Sequence, residues 1–394
     1  MSPSSLSISA VASIRETSGL SDDETGEIRL ITDTDALAEA CERLAVGDFL
    51  AVDTEFHRET TYWPQVCLIQ VANADYDVLV DPIAKIDLTP LMKLLADTSK
   101  VKVFHAARQD LEIFTRMIGH TPGPIFDTQI AAMACGLGDS ISYENLVSRV
   151  LKGTVDKSSQ FTDWARRPLS EKQLRYARGD VVYLRKIYKI LRDKLEKQKR
   201  ADWIEDEHAG LLDPEIYAFD PENAWKRLKV RKYKNDYLAV LANVAAWRER
   251  SAQELDKPRG RILKDDAIQE IAQQKPRTAE ALERMRAVPN GFAKSKHGQG
   301  LIHAINQALD EPDKYAPDVE RPESSGPPPG AVGELLKVLL KQVSDDAGVA
   351  TRLIANASDI ERLAREESPD IPALTGWRRE VFGEKALRLK AGKV

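Results

Sequence analysis

The feature that most constrains this chain is the stretch Phe49-Leu50-Ala51-Val52-Asp53-Thr54-Glu55-Phe56. Four consecutive apolar residues read as a buried strand, and two carboxylates follow, spaced i and i+2. Residues i and i+2 of a strand point to one face, so Asp53 and Glu55 stand side by side. Carboxylates that close raise each other's pKa unless a cation sits between them. Hard oxygen ligands of this kind suit Mg²⁺ or Mn²⁺. Whether the pair is a metal site or a solvated strand end depends on which other acids the fold brings to it.

The surrounding pattern is that of an α/β domain. Ile28–Ile31 reads as a short edge strand, and a helix starts at Asp33 or Thr34 and runs through Leu44. Val66–Val71 and Tyr76–Val80 read as strands joined at hairpin length by Asn73-Ala74-Asp75. A short helix over Leu88–Leu95, a strand over Lys100–Phe104, a helix over Ala106–Ile118 and a strand at Ile125–Asp127 follow. A hairpin combined with helical crossovers implies a mixed sheet. Asp110 falls near a helix N-terminus at the carboxyl end of a strand, where α/β sheets place their sites. By itself it would serve equally well as an acid complementing the helix dipole.

Further on, Ser170 and Gln173 form a capping box just after Pro168. The helix they start runs through Leu174, Val181, Leu184, Ile187 and Leu191. Tyr176 and Asp180 lie four apart on it and share a face, as a half-buried tyrosine beside a solvated acid also would.

Residues 198–236 read as a polar, charged connection, and from Tyr237 to Leu309 the pattern is helical throughout. Leu238, Leu241, Val244 and Trp247 make one apolar face. Six prolines between Asp310 and Gly330 mark a linker, and helices fill 331–385. A shift of 92 residues superposes Ile262, Ile268, Ile271, Ala272 and Leu282 on Ile354, Ile360, Leu363, Ala364 and Leu374, the mark of an internal repeat.

A chain of 394 residues is long enough for two or three domains. The net charge of −5 is unevenly spread, and distribution matters more than the sum. Residues 1–48 carry ten acids against three bases, whereas 221–310 carry eighteen Lys and Arg against eleven acids. A phosphate backbone would find its partner in the second segment. Cys41, Cys67 and Cys135 match no zinc spacing and read as reduced thiols of a cytoplasmic protein. No apolar run approaches the ~20 residues of a membrane span, so no membrane is expected as a partner. Residues 1–26 are Ser-rich without a basic n-region and read as a disordered leader.

Taken together, Asp53-x-Glu55, Asp110 and Tyr176-x-x-x-Asp180 resemble the three motifs of DEDDy 3′→5′ exonucleases, and within that class the ribonuclease D family. Supporting phrases are Tyr62-x-Pro64-Gln65, Phe104-His105-Ala106 and Asp163-Trp164-x-x-Arg167-Pro168-Leu169. Residues 237–309 resemble the HRDC module through Trp247-Arg248, Arg261-Ile262-Leu263-x-Asp265 and Ile271-Ala272.

The resemblance implies a ribonuclease H-like exonuclease domain over 27–210, a mixed sheet flanked by helices. A first all-α HRDC domain over 221–310, a Pro-rich linker over 311–330 and a second, degenerate HRDC-like bundle over 331–390 would follow. It implies that Asp53, Glu55, Asp110 and Asp180 hold two divalent ions, Mg²⁺ or Mn²⁺, that Tyr176 orients the attacking water, and that Phe56 and His105 touch substrate. The implied activity is trimming of the 3′ ends of RNA, transfer RNA precursors among them, by a monomer without an organic cofactor, releasing 5′-monophosphates. A DNA exonuclease would carry the same motifs. A nucleic-acid-binding adaptor with a dead nuclease domain would be expected to have lost one of the five motif residues, and all five are present.

Overall fold

The computed structural model describes residues 27–155, 158–319 and 330–393. The leader over 1–26 and most of the prolines of the linker lie outside these. Among the described residues two compact units are present: 27–56, 66–214 and 330–393 form one, and 57–65 with 215–319 form the other.

The first unit is built on a six-stranded sheet of order β1-β4-β3-β2-β5-β6. The strands are β1 Leu30–Ile31, β2 Phe49–His57, β3 Gln65–Ala72, β4 Asp77–Val80, β5 Val101–Phe104 and β6 Ile125–Asp127. β3 and β4 pair antiparallel as the expected hairpin, whereas β1–β4, β2–β5 and β5–β6 are parallel. Helices α1 Thr34–Leu44, α2 Thr89–Ala96, α3 Arg108–Ile118, α4 Thr128–Ala134 and α5 Tyr143–Leu151 connect and cover the strands. β2 is interior to the sheet, and Phe49 to Val52 are fully enclosed.

The longest helix is α6, Glu171–Gln198, whose capping box at Ser170 and Gln173 is formed as expected. Its buried stripe of Val181, Leu184, Ile187 and Leu191 follows helical spacing and faces the core. The stretch expected to be a connection is more ordered than its composition suggested. Helix α7 occupies Glu205–Leu212, with 3₁₀ turns at Ala201–Ile204, Pro214–Ile216 and Pro221–Arg227. Each of these elements is too short to display a period.

The C-terminal helices α11 Gly330–Ala347, α12 Ala357–Arg365 and α13 Glu384–Lys390 spend their apolar faces on this same core. Leu336, Leu353, Ile354 and Phe382 join one cluster with Ala131, Ala134 and Val147. The Ala350 N–H donates to Met133 O at 2.9 Å, and Arg200 donates to Ala134 O at 3.0 Å and Ala347 O at 2.5 Å. Trp203 and Trp377 stack in parallel with centroids 4.1 Å apart. Gly136 has φ of +72°, and a Cβ there would lie 2.5 Å from Gly348 O, so only glycine permits this approach.

The second unit surrounds α8, Asn235–Glu254, with α9 Asp265–Gln274 and α10 Lys296–Asp310. Leu238, Leu241 and Val244 meet Ile268, Ile271, Leu301 and Ile305 in its core. Pro312–Tyr315 forms one more helical turn, so this unit outlasts the expected start of the linker. Segment 57–65 belongs here as well. Tyr62 is buried, donates its hydroxyl to Glu249 and accepts from Arg259 at 2.8 Å, and Asp256 takes the N–H groups of Tyr62 and Trp63 at 3.0 Å. Among the described residues no helix is long and apolar enough to cross a membrane.

Because the C-terminal helices share the core of the sheet, Phe382→Ala should destabilise the whole first unit by about 3–5 kcal/mol. Chemical denaturation of the full chain followed by tryptophan fluorescence checks this. An unchanged midpoint for Phe382→Ala would show that these helices fold apart from the sheet.

Candidate active site

Asp53 and Glu55 leave the second half of β2 on one face, as alternation requires, and Asp180 reaches them from α6. One oxygen from each lies within 4.8 Å of the others. Asp110, in the first turn of α3, is buried beside them and accepts the Thr54 hydroxyl at 2.5 Å. Thr54 is thus a site residue whose neighbours drew attention while it did not.

Four acids in so small a space change each other's protonation. Burial first, then Asp180 and Asp110, hold Asp53 well above the ordinary carboxylate range. Burial, with Asp53 and Asp110 beside it, pushes Glu55 up to about 9. Asp180 is raised by burial and by Glu55. Burial raises Asp110 to about 7 against the opposing hydrogen bond from Thr54. Among the described residues none of the four is ion-paired with a lysine or arginine. Asp180 Oδ2 is a buried oxygen without a hydrogen-bond partner. A hard oxygen donor set with an orphaned carboxylate oxygen fits a divalent cation, the group that converts this repulsion into attraction.

Tyr176 is one helical turn before Asp180 and half-buried. Burial, then Asp180, Glu55 and Asp53, raise its phenol far above the usual value, so it stays protonated and is an O–H donor. Trp164 stands behind it, ring centroids 6.0 Å apart. Arg167 fixes that loop by binding Asp81 through two nitrogens at 2.6 and 2.7 Å, Cys67 O at 2.7 Å and Trp164 O at 2.7 Å. Arg178 clamps α6 to the sheet through Asp77 at 2.7 and 3.2 Å.

His105 is held by groups other than the four acids. Its Nδ1 lies 3.0 Å from Thr128 Oγ1 and its Nε2 3.1 Å from Ile141 O, so both ring nitrogens are engaged within the protein. Its ring packs 5.4 Å from Tyr143. Tyr143, which sequence reasoning missed, donates its hydroxyl to Asp180 O at 2.5 Å and so fixes the backbone of a site acid. Nothing in its local pattern signals this, because the contact spans 37 residues. Phe56 follows Glu55 on β2 and is half-buried.

The comparisons with known proteins agree with this geometry. A family model described as 3′-5′ exonuclease matches residues 28–196, and the HRDC domain model matches 237–305. Ribonuclease D of Granulibacter bethesdensis is 47% identical over 93% of both chains. Ribonuclease D of Nitrobacter hamburgensis is 48% identical over 93% of this chain and 96% of its own. The chain belongs to the ribonuclease D family. The crystal structure of Escherichia coli RNase D, described as an exoribonuclease involved in structured RNA processing, superposes with a TM-score of 0.78 at 30% identity. It covers 93% of this chain and 99% of that one. As a ribonuclease D family member this chain is a 3′→5′ exoribonuclease, a hydrolase dependent on divalent metal and acting on RNA.

The raised carboxylates fix how stability varies with pH. Unfolded, these acids titrate near ~4, while folded Asp110 and Glu55 titrate near about 7 and 9. Their protonated forms are favoured in the fold, so that contribution is complete below pH ~4 and is lost as pH rises through those values. In a chelator, the thermal midpoint should fall by several degrees between pH 5 and pH 9. Excess Mg²⁺ should cancel the fall, and a chelated protein with a flat profile would show that the acids are not crowded.

Proposed function

We propose that this exoribonuclease trims the 3′ ends of structured RNAs, transfer RNA precursors among them, one nucleotide at a time. What supports the reading is the convergence of Asp53, Glu55 and Asp180, with its orphaned Asp180 oxygen, on a ribonuclease D chain. Asp53, Glu55, Asp110 and Asp180 would hold two divalent ions. When bound, such ions supply Lewis acidity to a phosphate and lower the pKa of a water.

The chain's own residues do the rest. Tyr176, held protonated, donates a hydrogen bond that orients the attacking water and does not abstract its proton. Thr54 fixes the rotamer of Asp110, and Tyr143 fixes the backbone of Asp180. Hydrolysis then breaks the bond from the last phosphorus to the 3′ oxygen of the preceding nucleotide, and a 5′-monophosphate leaves. His105, with both nitrogens engaged, would act by supporting Tyr143, and Phe56, next in sequence to Glu55, would meet the terminal nucleotide.

The basic segment 221–310 would track the phosphate backbone. Residues 331–390 read as its degenerate second copy. The shift of 92 residues carries the helix Arg259–Ile262 onto Thr351–Ile354 and the start of α9 at Asp265 onto Ala357, the start of α12. Three free, buried cysteines suit the reducing cytoplasm.

A 5′-labelled single-stranded RNA carrying an internal stem, incubated with Mg²⁺, should give a ladder descending by one nucleotide and stopping near the stem. A circular RNA should resist, and cutting of the circle would overturn the exonuclease reading. A matched DNA degraded as fast would favour the DNA reading. Asp180→Asn should abolish cleavage, and Tyr176→Phe should slow it by about 10–100-fold, the loss of one hydrogen bond worth about 1.5–3 kcal/mol in the transition state. An unchanged rate for Tyr176→Phe would reduce that residue to packing.

A further inference from the structure

α3 carries Asp110, yet its N-terminus has no cap of its own, because the N-cap position is Ala107, which has no oxygen to offer. The residue before it, Ala106, is in the left-handed region at φ 59°, which is costly for any residue with a Cβ. Both defects are met by one distant carboxylate. Asp127, at the end of β6 and only 3% exposed, accepts the Ala106 N–H on Oδ1 at 3.0 Å and the Ala107 N–H on Oδ2 at 2.8 Å. Its Oδ1 also accepts the Gln129 N–H at 2.8 Å and caps α4. A single acid thus ties the turn before α3 to the turn before α4.

Asp127 is itself held from outside the sheet. Its backbone N–H donates to Nε2 of His208 on α7 at 3.0 Å, and the His208 ring packs 5.7 Å from Phe126. His208 is buried and neutral in this geometry, because Nε2 must offer a lone pair. α7 is in turn fastened by Arg378, which donates to Glu207 at 2.7 Å and to Leu353 O at 2.9 Å.

We propose that Asp127, supported by His208, is a positioning residue for the reaction. It sets the start of α3 and thereby the place of the Asp110 carboxylate in the metal-binding set. The proposal deepens the exonuclease reading and rests on it. Asn at 127 keeps the size of Asp but turns an amide donor toward one of two N–H groups, so α3 loses part of its cap. Phe at 208 keeps a ring beside Phe126 but removes the acceptor for the Asp127 N–H.

The test uses the full chain with Mg²⁺ and a 5′-labelled RNA, well below the melting temperature, with circular dichroism confirming the fold. Asp127→Asn and His208→Phe should lower kcat by about 10–100-fold, raise the Mg²⁺ concentration for half-maximal rate, and leave KM for RNA unchanged. His208→Gln, whose Oε1 accepts the same N–H, should lose less than His208→Phe. Adding Ala106→Gly to Asp127→Asn should restore part of kcat, because glycine takes φ 59° without help.

Folded variants with the parent's kcat and Mg²⁺ midpoint would overturn the proposal, as would a loss confined to KM. If Asp127→Asn does not fold, the two His208 variants decide. If the parent itself shows no nuclease activity, the exonuclease reading fails. Mg²⁺ binding by calorimetry then still decides the positioning role, and parental affinity in the variants overturns it.

Discussion

Mutual repulsion among Asp53, Glu55, Asp110 and Asp180 is the constraint on which the rest of this structure depends. Carboxylates brought this close without a cation of their own push the elements that carry them apart. β2, α3 and α6 therefore need fastening by contacts that lie outside the cluster. The arginines are used in just this way: Arg178 binds Asp77 and Arg167 binds Asp81, each a bidentate pair along the strand β4 and its end. Such forked pairs fix geometry as well as adding energy. Positive charge braces the site's walls and stays out of its centre, where it would compete with a metal ion.

The apolar core does the remaining fastening. The C-terminal helices complete the enclosure of α4 and α5, and through Arg378 and the Trp203–Trp377 stack they fix the 3₁₀ turn and α7 behind β6. Residues far along the chain therefore bear on the site through packing, with no acid or base of their own in it.

Much of this was legible in the residues, and the reason is that the informative relations are local. The i, i+2 spacing of Asp53 and Glu55 on a strand and the i, i+4 spacing of Tyr176 and Asp180 on a helix fix shared faces before any tertiary structure is known. The hairpin at Asn73–Asp75, the edge strand and the capping box at Ser170 are local in the same sense, and all are formed. The unread parts are contacts across long separations. His208 meets Asp127 over 81 residues, Arg178 meets Asp77 over 101, and Tyr62 meets Glu249 over 187. His208 was hidden further by lying in a stretch whose short elements show no period. The C-terminal bundle was legible as helices, but not as part of the sheet's core, because an amphipathic face does not name its partner.

Glu55, crowded by the other site acids, keeps its proton at pH 7 until a divalent cation binds. Calorimetric titration of the metal-free protein with Mg²⁺ or Mn²⁺ at pH 7, repeated in buffers of different ionisation enthalpy, tests this most directly. With Glu55 near 9 and Asp53 and Asp180 raised well above the ordinary range, binding must expel protons. The observed enthalpy should therefore change with the buffer in proportion to at least one proton released per chain. Metal binding with an enthalpy independent of the buffer would contradict the account.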